Sequence, residues 1–384
     1  MRSMFVLFNV LLFSVFGQEI TVIGIGRLGL PFALCLEKAG YNVLGVDVSE
    51  DYVFQMNSKT YISPEPFVAE YLKSSTNFKA TTSLKEGLEF SDIYFIFVPT
   101  NSIPGLNTYD HGIVTSILEK MNSFRLTGKH IVICSTVFPG YIRDVARHLL
   151  TDCVDVTINY NPEFIAQGNI IHGLTNPDII LIGEDNVDAG NYLSSIYHNL
   201  CFNEPYFARM SVDSAELAKL ALNCFVTAKI AFANLVGDIA DQTPGADKFA
   251  ILKALGMDQR IGSKCLCPGY GFGGPCFPRD NRAMANYVQT RGIDPLFFVA
   301  TDQINQAHAR FMADQFLSLD LEEYVFEDMC YKSNCPVPII ECSQKLEVAK
   351  MIALSGKKVI IRDRDEVVLQ IKEKYPSLFD YQEL

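Results

Sequence analysis

Gly24-Ile-Gly26-Arg-Leu-Gly29 lies between an apolar run, Ile20–Ile25, and a helix-forming stretch from Pro31 to about Lys38. The run reads as a buried parallel strand and the glycines as a tight turn. Tyr41–Val46 reads as a second strand, which ends at Asp47. A bare G-x-G-x-x-G is weak evidence. Set between a strand and a helix, and followed by a strand ending in an acid, it specifies a β-α-β dinucleotide unit. In such a unit the pyrophosphate rests on the helix N-terminus. Asp47 would accept from the ribose hydroxyls and repel a 2′-phosphate, and no arginine follows it closely. NAD is therefore expected rather than NADP.

The same rhythm continues. Asp92–Val98 ends in Pro99-Thr100-Asn101, His130–Cys134 in Ser135-Thr136, Val156–Tyr160 in Asn161-Pro162-Glu163, and Asp178–Ile182 in Gly183-Glu184. Each alone could be a strand-to-loop break. Four together predict one crevice at the carboxyl edge of an open α/β sheet.

From Ser211 to about Ala240 the pattern becomes one long, largely apolar helix, with Glu216, Lys219 and Asn223 at i, i+3 and i+7 on one face. Lys219 is either a snorkelling lysine or a cation facing a cleft beside an amide. A second helix is expected from about Pro295 to Leu317. Beyond Leu319 come apolar Val337–Ile340, a helix at Gln344–Leu354 and a strand at Lys357–Asp363.

Gly269–Asp280 packs four glycines and two prolines around Cys276 and ends in Arg279-Asp280. Glycine-dense loops let main-chain N–H groups approach a phosphate or a developing oxyanion. A thiol held there, near a cation, could be a nucleophile whose thiolate is favoured. A tight turn around an inert buried thiol gives the same pattern.

The chain has 384 residues, 49% of them hydrophobic, enough for two or three domains. A net charge of −12 with no basic stripe excludes a general nucleic-acid binder. The 11 cysteines lack framework spacing, which points to reduced thiols and a cytoplasmic protein. Cys265-Leu-Cys267 has no second pair at zinc spacing, so no metal is expected. Met1–Gly17 reads either as a secretory signal or as an upstream extension, and the extension reading agrees better with a core strand beginning at Glu19 or Ile20. No other apolar segment reaches membrane-spanning length free of charge. The expected division is an apolar extension at 1–18, an NAD-binding domain at 19–205, a central helical active-site region at 206–318 and a shortened α/β lobe at 319–384.

Five ordered stretches resemble the UDP-glucose/GDP-mannose dehydrogenase family. They are Gly24–Pro31, Ser135–Gly140, Asn161–Gly168, Ala215–Asn223 and Gly271–Asp280. Tyr270-Gly-Phe-Gly-Gly with Cys-Phe-Pro looks most like the UDP-glucose branch, with the GDP-mannose branch close behind. The resemblance implies four-electron oxidation of a sugar C6 alcohol to the acid by two NAD, through a thiohemiacetal and a thioester on Cys276. It implies that Lys219 stabilises the oxyanion and Asn223 helps position it, that Asp280 and Thr136 orient the water or take its proton, and that Glu163 is the base for hydrolysis. It places Gly24, Gly26, Gly29, Asp47, Thr100, Thr136 and Arg279 at NAD. Glu163, Gln167, Lys219, Asn223, Gly273, Lys332 and Arg260 fall at the sugar nucleotide, with Arg260 reaching across a homodimer built on the central helix.

Four departures stand out. Gln167 replaces a usual second Glu, and Arg279 replaces a usual Lys. Cys335-Pro-Val-Pro-Ile-Ile-Glu341 stands where Thr-Asp-Asp-x-Arg should follow Tyr331-Lys332. The last lobe reads as several tens of residues short. A GDP-mannose or other nucleotide-sugar dehydrogenase, or a catalytically weak family member, is the alternative expectation.

Overall fold

The computed structural model describes residues 17–103 and 105–383. The signal-or-extension question at Met1–Gly17 thus falls almost wholly outside the described residues.

Ten strands occupy the first half: β1 (Glu19–Ile23), β2 (Asn42–Val46), β3 (Phe78–Thr81), β4 (Ile93–Ile96), β5 (Ser102–Ile103), β6 (Thr108–Tyr109), β7 (His130–Ile133), β8 (Thr157–Tyr160), β9 (Ile179–Glu184) and β10 (Tyr206–Ser211). Eight of them form one sheet in the order β10-β9-β8-β7-β4-β1-β2-β3, while β5 and β6 form a separate hairpin. From β3 to β8 the strands are parallel, as in a doubly wound nucleotide-binding fold. Such strands are covered on both faces. Ile20, Val22 and Phe95 pack under the helices Gly29–Lys38 and Val187–Leu200, and Ile23, Tyr94 and Ile96 under Gly112–Ser123.

β9 runs antiparallel to β8, pairing Tyr160 with Gly183, and β10 lies parallel to β9. This corrects the expectation of four strands ending in one crevice. Glu184, at the carboxyl end of β9, is turned away to hold Arg209, and the amino end at Asp178–Ile179 faces the cleft instead. Hydrophobic runs carry no strand direction, so the reversal leaves no trace in the sequence.

Val212–Asp241 is a single helix, capped by Ser211 and packed against Phe277–Thr290 and Leu296–Leu317. Among the described residues it alone is long and apolar enough to cross a membrane, yet it buries Glu216, Lys219 and Asn223 within this domain. The Glu216 carboxylate accepts from Gly140 N at 2.6 Å and Ile142 N at 2.9 Å, fixing the helix to the loop after β7. On the opposite side Phe225, Phe232, Leu235 and Ile239 are exposed.

The last part is a three-stranded parallel sheet of β11 (Glu323–Phe326), β12 (Lys358–Asp363) and β13 (Asp380–Glu383), with the helices Gln344–Leu354 and Asp365–Lys374. Val337–Ile340 is apolar because it is buried in this lobe's core, though it forms no strand.

Candidate active site

All three parts line one cleft of about 1360 Å³. The β1 turn contributes Gly26 and Arg27, the ends of β4, β7 and β8 contribute Thr100, Thr136 and Glu163, and the long helix contributes Lys219 and Asn223. Gly273, Cys276 and Arg279 come from the thiol segment, and Lys332 comes from the last lobe.

The turn is shaped for a dinucleotide. A Cβ on Gly24, at φ +85°, would overlap the Phe97 carbonyl oxygen, and one on Gly29 would overlap that of Gly24. A Cβ on Gly26 would meet nothing within 4 Å, leaving its main chain open to the cleft. The helix that begins at Gly29 has no side-chain cap and no acid in its first turn, so its positive end can attract a phosphate, although Leu30 N already donates to the Gly26 carbonyl at 3.1 Å and Pro31 has no N–H. Asp47 follows β2, with one carboxylate oxygen taken by Ser49 N at 3.2 Å. These residues fit NAD.

The reactive centre forms where the long helix passes the end of β8. Lys219, 6% exposed, donates to the Glu163 carbonyl at 2.6 Å and lies 4.4 Å from the Phe164 ring centroid. Burial lowers its pKa, opposed by the Asp280 and Cys276 charges. The Glu163 carboxyl is pushed up to about 7 by burial, against the hydrogen bond from Tyr197 and the Lys219 charge. A carboxylate titrating there can take a proton near neutral pH.

The glycine-rich segment ends sooner than expected. Cys276 is the N-cap of a helix, Phe277–Thr290, so Arg279 and Asp280 lie in its first turn rather than in the loop. Cys276 exposes surface into the cleft, but the cleft is deep. Burial raises the thiol pKa, with Arg279 and Lys219 opposing and Asp280 reinforcing. Burial thus works against the favoured thiolate that the sequence allows for, and the two cations beside the sulfur work for it.

Asp280 is completely buried and takes three donors: Tyr109 OH at 2.8 Å, Arg279 Nε at 2.8 Å and Asn223 Nδ2 at 2.7 Å. It does not itself line the cleft, whereas its partners Asn223 and Arg279 do. Its partners make it a positioning group for Asn223 and Arg279. Arg279 also lies over the Tyr109 ring and reaches the Thr100 carbonyl at 3.4 Å, while Thr100 Oγ1 donates to the Thr136 carbonyl at 2.7 Å.

Gln167 lines the cleft with a buried side-chain oxygen that has no partner. Arg260 does not join the cleft; it is exposed and folded back on Asp258 at 2.7 Å. Cys335–Glu341 packs into the last lobe, where Arg364 donates to the Cys335 and Pro336 carbonyls at 2.8 Å each. Tyr109 and Tyr197 escaped sequence reasoning. Tyr109 lies 171 positions from Asp280, and Tyr197 OH sits 2.8 Å from Glu163 Oε1 from a helix with no motif. Glu65 escaped too; both its oxygens accept from Gly168 N at 2.8 Å, holding the loop that carries Gln167.

Comparison with known proteins agrees with this geometry. Residues 18–201 match the NAD binding domain of the UDP-glucose/GDP-mannose dehydrogenase family, and residues 213–307 match its central domain. A UDP-glucose 6-dehydrogenase of Rickettsia conorii is 33% identical over 365 residues, covering 93% of this chain and 83% of that one. A GDP-mannose 6-dehydrogenase of Pseudomonas aeruginosa is 27% identical, covering 91% and 81%. A UDP-glucose dehydrogenase structure from Pyrobaculum islandicum superposes with a TM-score of 0.86 at 26% identity, covering 97% of this chain and 87% of that one. The chain, with its dinucleotide turn and its thiol on one cleft, therefore belongs to the UDP-glucose/GDP-mannose dehydrogenase family.

Proposed function

We propose that the protein oxidises C6 of UDP-glucose to the carboxylate of UDP-glucuronate. The observation that carries this reading is the convergence of Cys276, Lys219, Asn223 and Glu163 on a cleft that the dinucleotide turn also lines. NAD, when bound, supplies the hydride acceptor for both oxidations.

In the first oxidation the C6 alcohol loses a hydride, and its hydroxyl proton passes to water in the cleft, giving the aldehyde. Lys219 and Asn223 stabilise the negative charge that develops on this oxygen. An aldehyde has no leaving group, and Cys276 answers that need: its sulfur bonds to C6 as the S–H bond breaks, and the carbonyl oxygen takes up the thiol proton. Loss of a second hydride from C6 and of that proton leaves a thioester. Arg279 and Lys219 offset the burial that keeps the thiol protonated. Glu163 takes a proton from water as its oxygen bonds to C6, and Thr136 lines the same stretch. The C–S bond breaks, and the thiol is restored.

Lys332, which reaches the cleft from the last lobe, is assigned to the nucleotide diphosphate, and Gly273 and Gln167 to the sugar side. A homodimer is proposed on the long helix, where the exposed stripe Phe225, Phe232, Leu235 and Ile239 would be covered by a second copy. Arg260 would then reach the partner's cleft. The reduced-thiol composition, with all eleven cysteines unpaired, supports a cytoplasmic setting.

The 27% identical GDP-mannose 6-dehydrogenase keeps a GDP-sugar as the second reading. NADH release against a panel of UDP- and GDP-sugars, with NADH counted per acid formed, tests both. Two NADH per UDP-glucuronate is the expected result. Preference for a GDP-sugar moves the assignment to the second reading, and no turnover on any nucleotide sugar overturns it.

A further inference from the structure

The outer side of the Cys276 loop is held by two helices through side chains that never reach the cleft. Asn234 Oδ1 accepts from Gly269 N at 2.9 Å, and Asn234 Nδ2 donates to the Tyr270 carbonyl at 3.4 Å. Asn305 holds both main-chain groups of Phe272, at 2.8 and 2.9 Å. Between them sits His308, buried, with Nδ1 2.8 Å from Asp238 Oδ1 and Nε2 2.7 Å from the Gly269 carbonyl.

Both neighbours of this imidazole are acceptors. The ring therefore spans from the Asp238 carboxylate on the long helix to the Gly269 carbonyl at the start of the Cys276 loop, donating from whichever nitrogen carries the N–H.

We propose that the buried His308–Asp238 pair is a positioning device for the Cys276 loop, fixing its start at Gly269. The proposal rests on Cys276 being the nucleophile of the reaction given above. His308 and Asp238 touch neither substrate nor cofactor, and they act only through the loop.

The test uses the full chain with His308→Ala, His308→Gln and Asp238→Asn. Alkylation of Cys276 by iodoacetamide is followed by mass spectrometry of its own peptide, with NAD affinity and kcat measured on the same samples. In His308→Ala the loosened loop exposes the thiol, and alkylation at fixed pH is expected about threefold or more faster than in the parent. Acid formation is expected to lose about tenfold or more in kcat, because a misplaced nucleophile costs rate. His308→Gln, which can still donate to Gly269, falls between the two. Asp238→Asn, whose amide oxygen can still accept from the ring, also falls between parent and His308→Ala. NAD affinity is unchanged in all three. A ratio to the parent of one in His308→Ala overturns the proposal, and so does loss of NAD affinity in step with kcat, which marks a general structural role. Alkylation needs no sugar substrate, so failure of the UDP-glucose reading leaves this result standing.

Discussion

Lys219 Nζ donates to the main-chain oxygen of Glu163 at 2.6 Å, so the cation that faces the cleft is braced by the residue whose carboxyl it also attracts. Each therefore sets the other's working state. Burial works against both charges, and their proximity partly restores them.

Glu163→Gln should leave the oxidations in place and stall hydrolysis, with kcat for acid formation down by about 10²–10⁴-fold. Intact mass spectrometry should find sugar nucleotide attached to Cys276. With the carboxyl at about 7, activity in the parent should rise as pH passes through that value. Stability should move the other way. A carboxyl raised in the folded state loses stability as pH climbs from its unfolded pKa through about 7. Glu163→Gln should accordingly raise Tm at pH 8 more than at pH 5. Equal Tm shifts at both would show that the carboxyl is not perturbed.

Cys276→Ala removes the sulfur but keeps the main chain, so acid formation should stop while NAD affinity stays. In the parent, alkylation of the resting thiol should be slow at pH 7. It should slow further in Lys219→Met, which removes one of the charges that lower the thiol. Continued UDP-glucuronate production by Cys276→Ala would make the thiol structural.

Two alanine changes in the first turn should part company. Gly29→Ala puts a methyl against the Gly24 carbonyl and should cost soluble, folded protein. Gly26→Ala meets no protein atom, so its Tm should match the parent while NAD binding weakens by about tenfold. Asp47→Ala should weaken NAD more than sugar-nucleotide affinity. Isothermal titration and thermal melts decide all three.

Lys332→Ala should raise KM for UDP-glucose by about ten- to hundredfold, the range for one lost charge-assisted contact, with NAD affinity untouched. An unchanged KM would move the diphosphate elsewhere in the cleft.

Phe232→Asp with Ile239→Asp should convert a dimer into monomers in light scattering. The parent running as a monomer at micromolar concentration would leave the exposed stripe of the long helix without its proposed partner.

Much of this was legible in the sequence, for identifiable reasons. The Gln344–Leu354 helix and the helix expected from Pro295 to Leu317 have no glycine or proline in their interiors, and both form at those bounds or within a residue of them. Gly24, Gly26 and Gly29 reveal their turn because only glycine fits two of those positions. The helix at Phe277 was hidden by its own start: Pro278 and the glycines before it look like breakers, yet proline suits the first turn of a helix. The direction of β9 and the donors Tyr109 and Tyr197 were hidden for another reason. They are products of long-range packing, and no local pattern marks a tyrosine that will meet a carboxylate far along the chain.

That distance also sets an order of assembly. Asp280 draws its donors from Tyr109 on the β5–β6 hairpin, Asn223 on the long helix and its own neighbour Arg279. During synthesis the first sheet can be complete, with its glycine turn and Asp47 in place, long before residue 280 leaves the ribosome. The Asn223 amide and the Tyr109 hydroxyl then wait on a single late-arriving carboxylate. Contacts of such sequence separation form slowly and late. A nascent chain should thus gain the ability to hold NAD well before it gains chemistry, and a stalled one should be a nucleotide binder with no reactive centre.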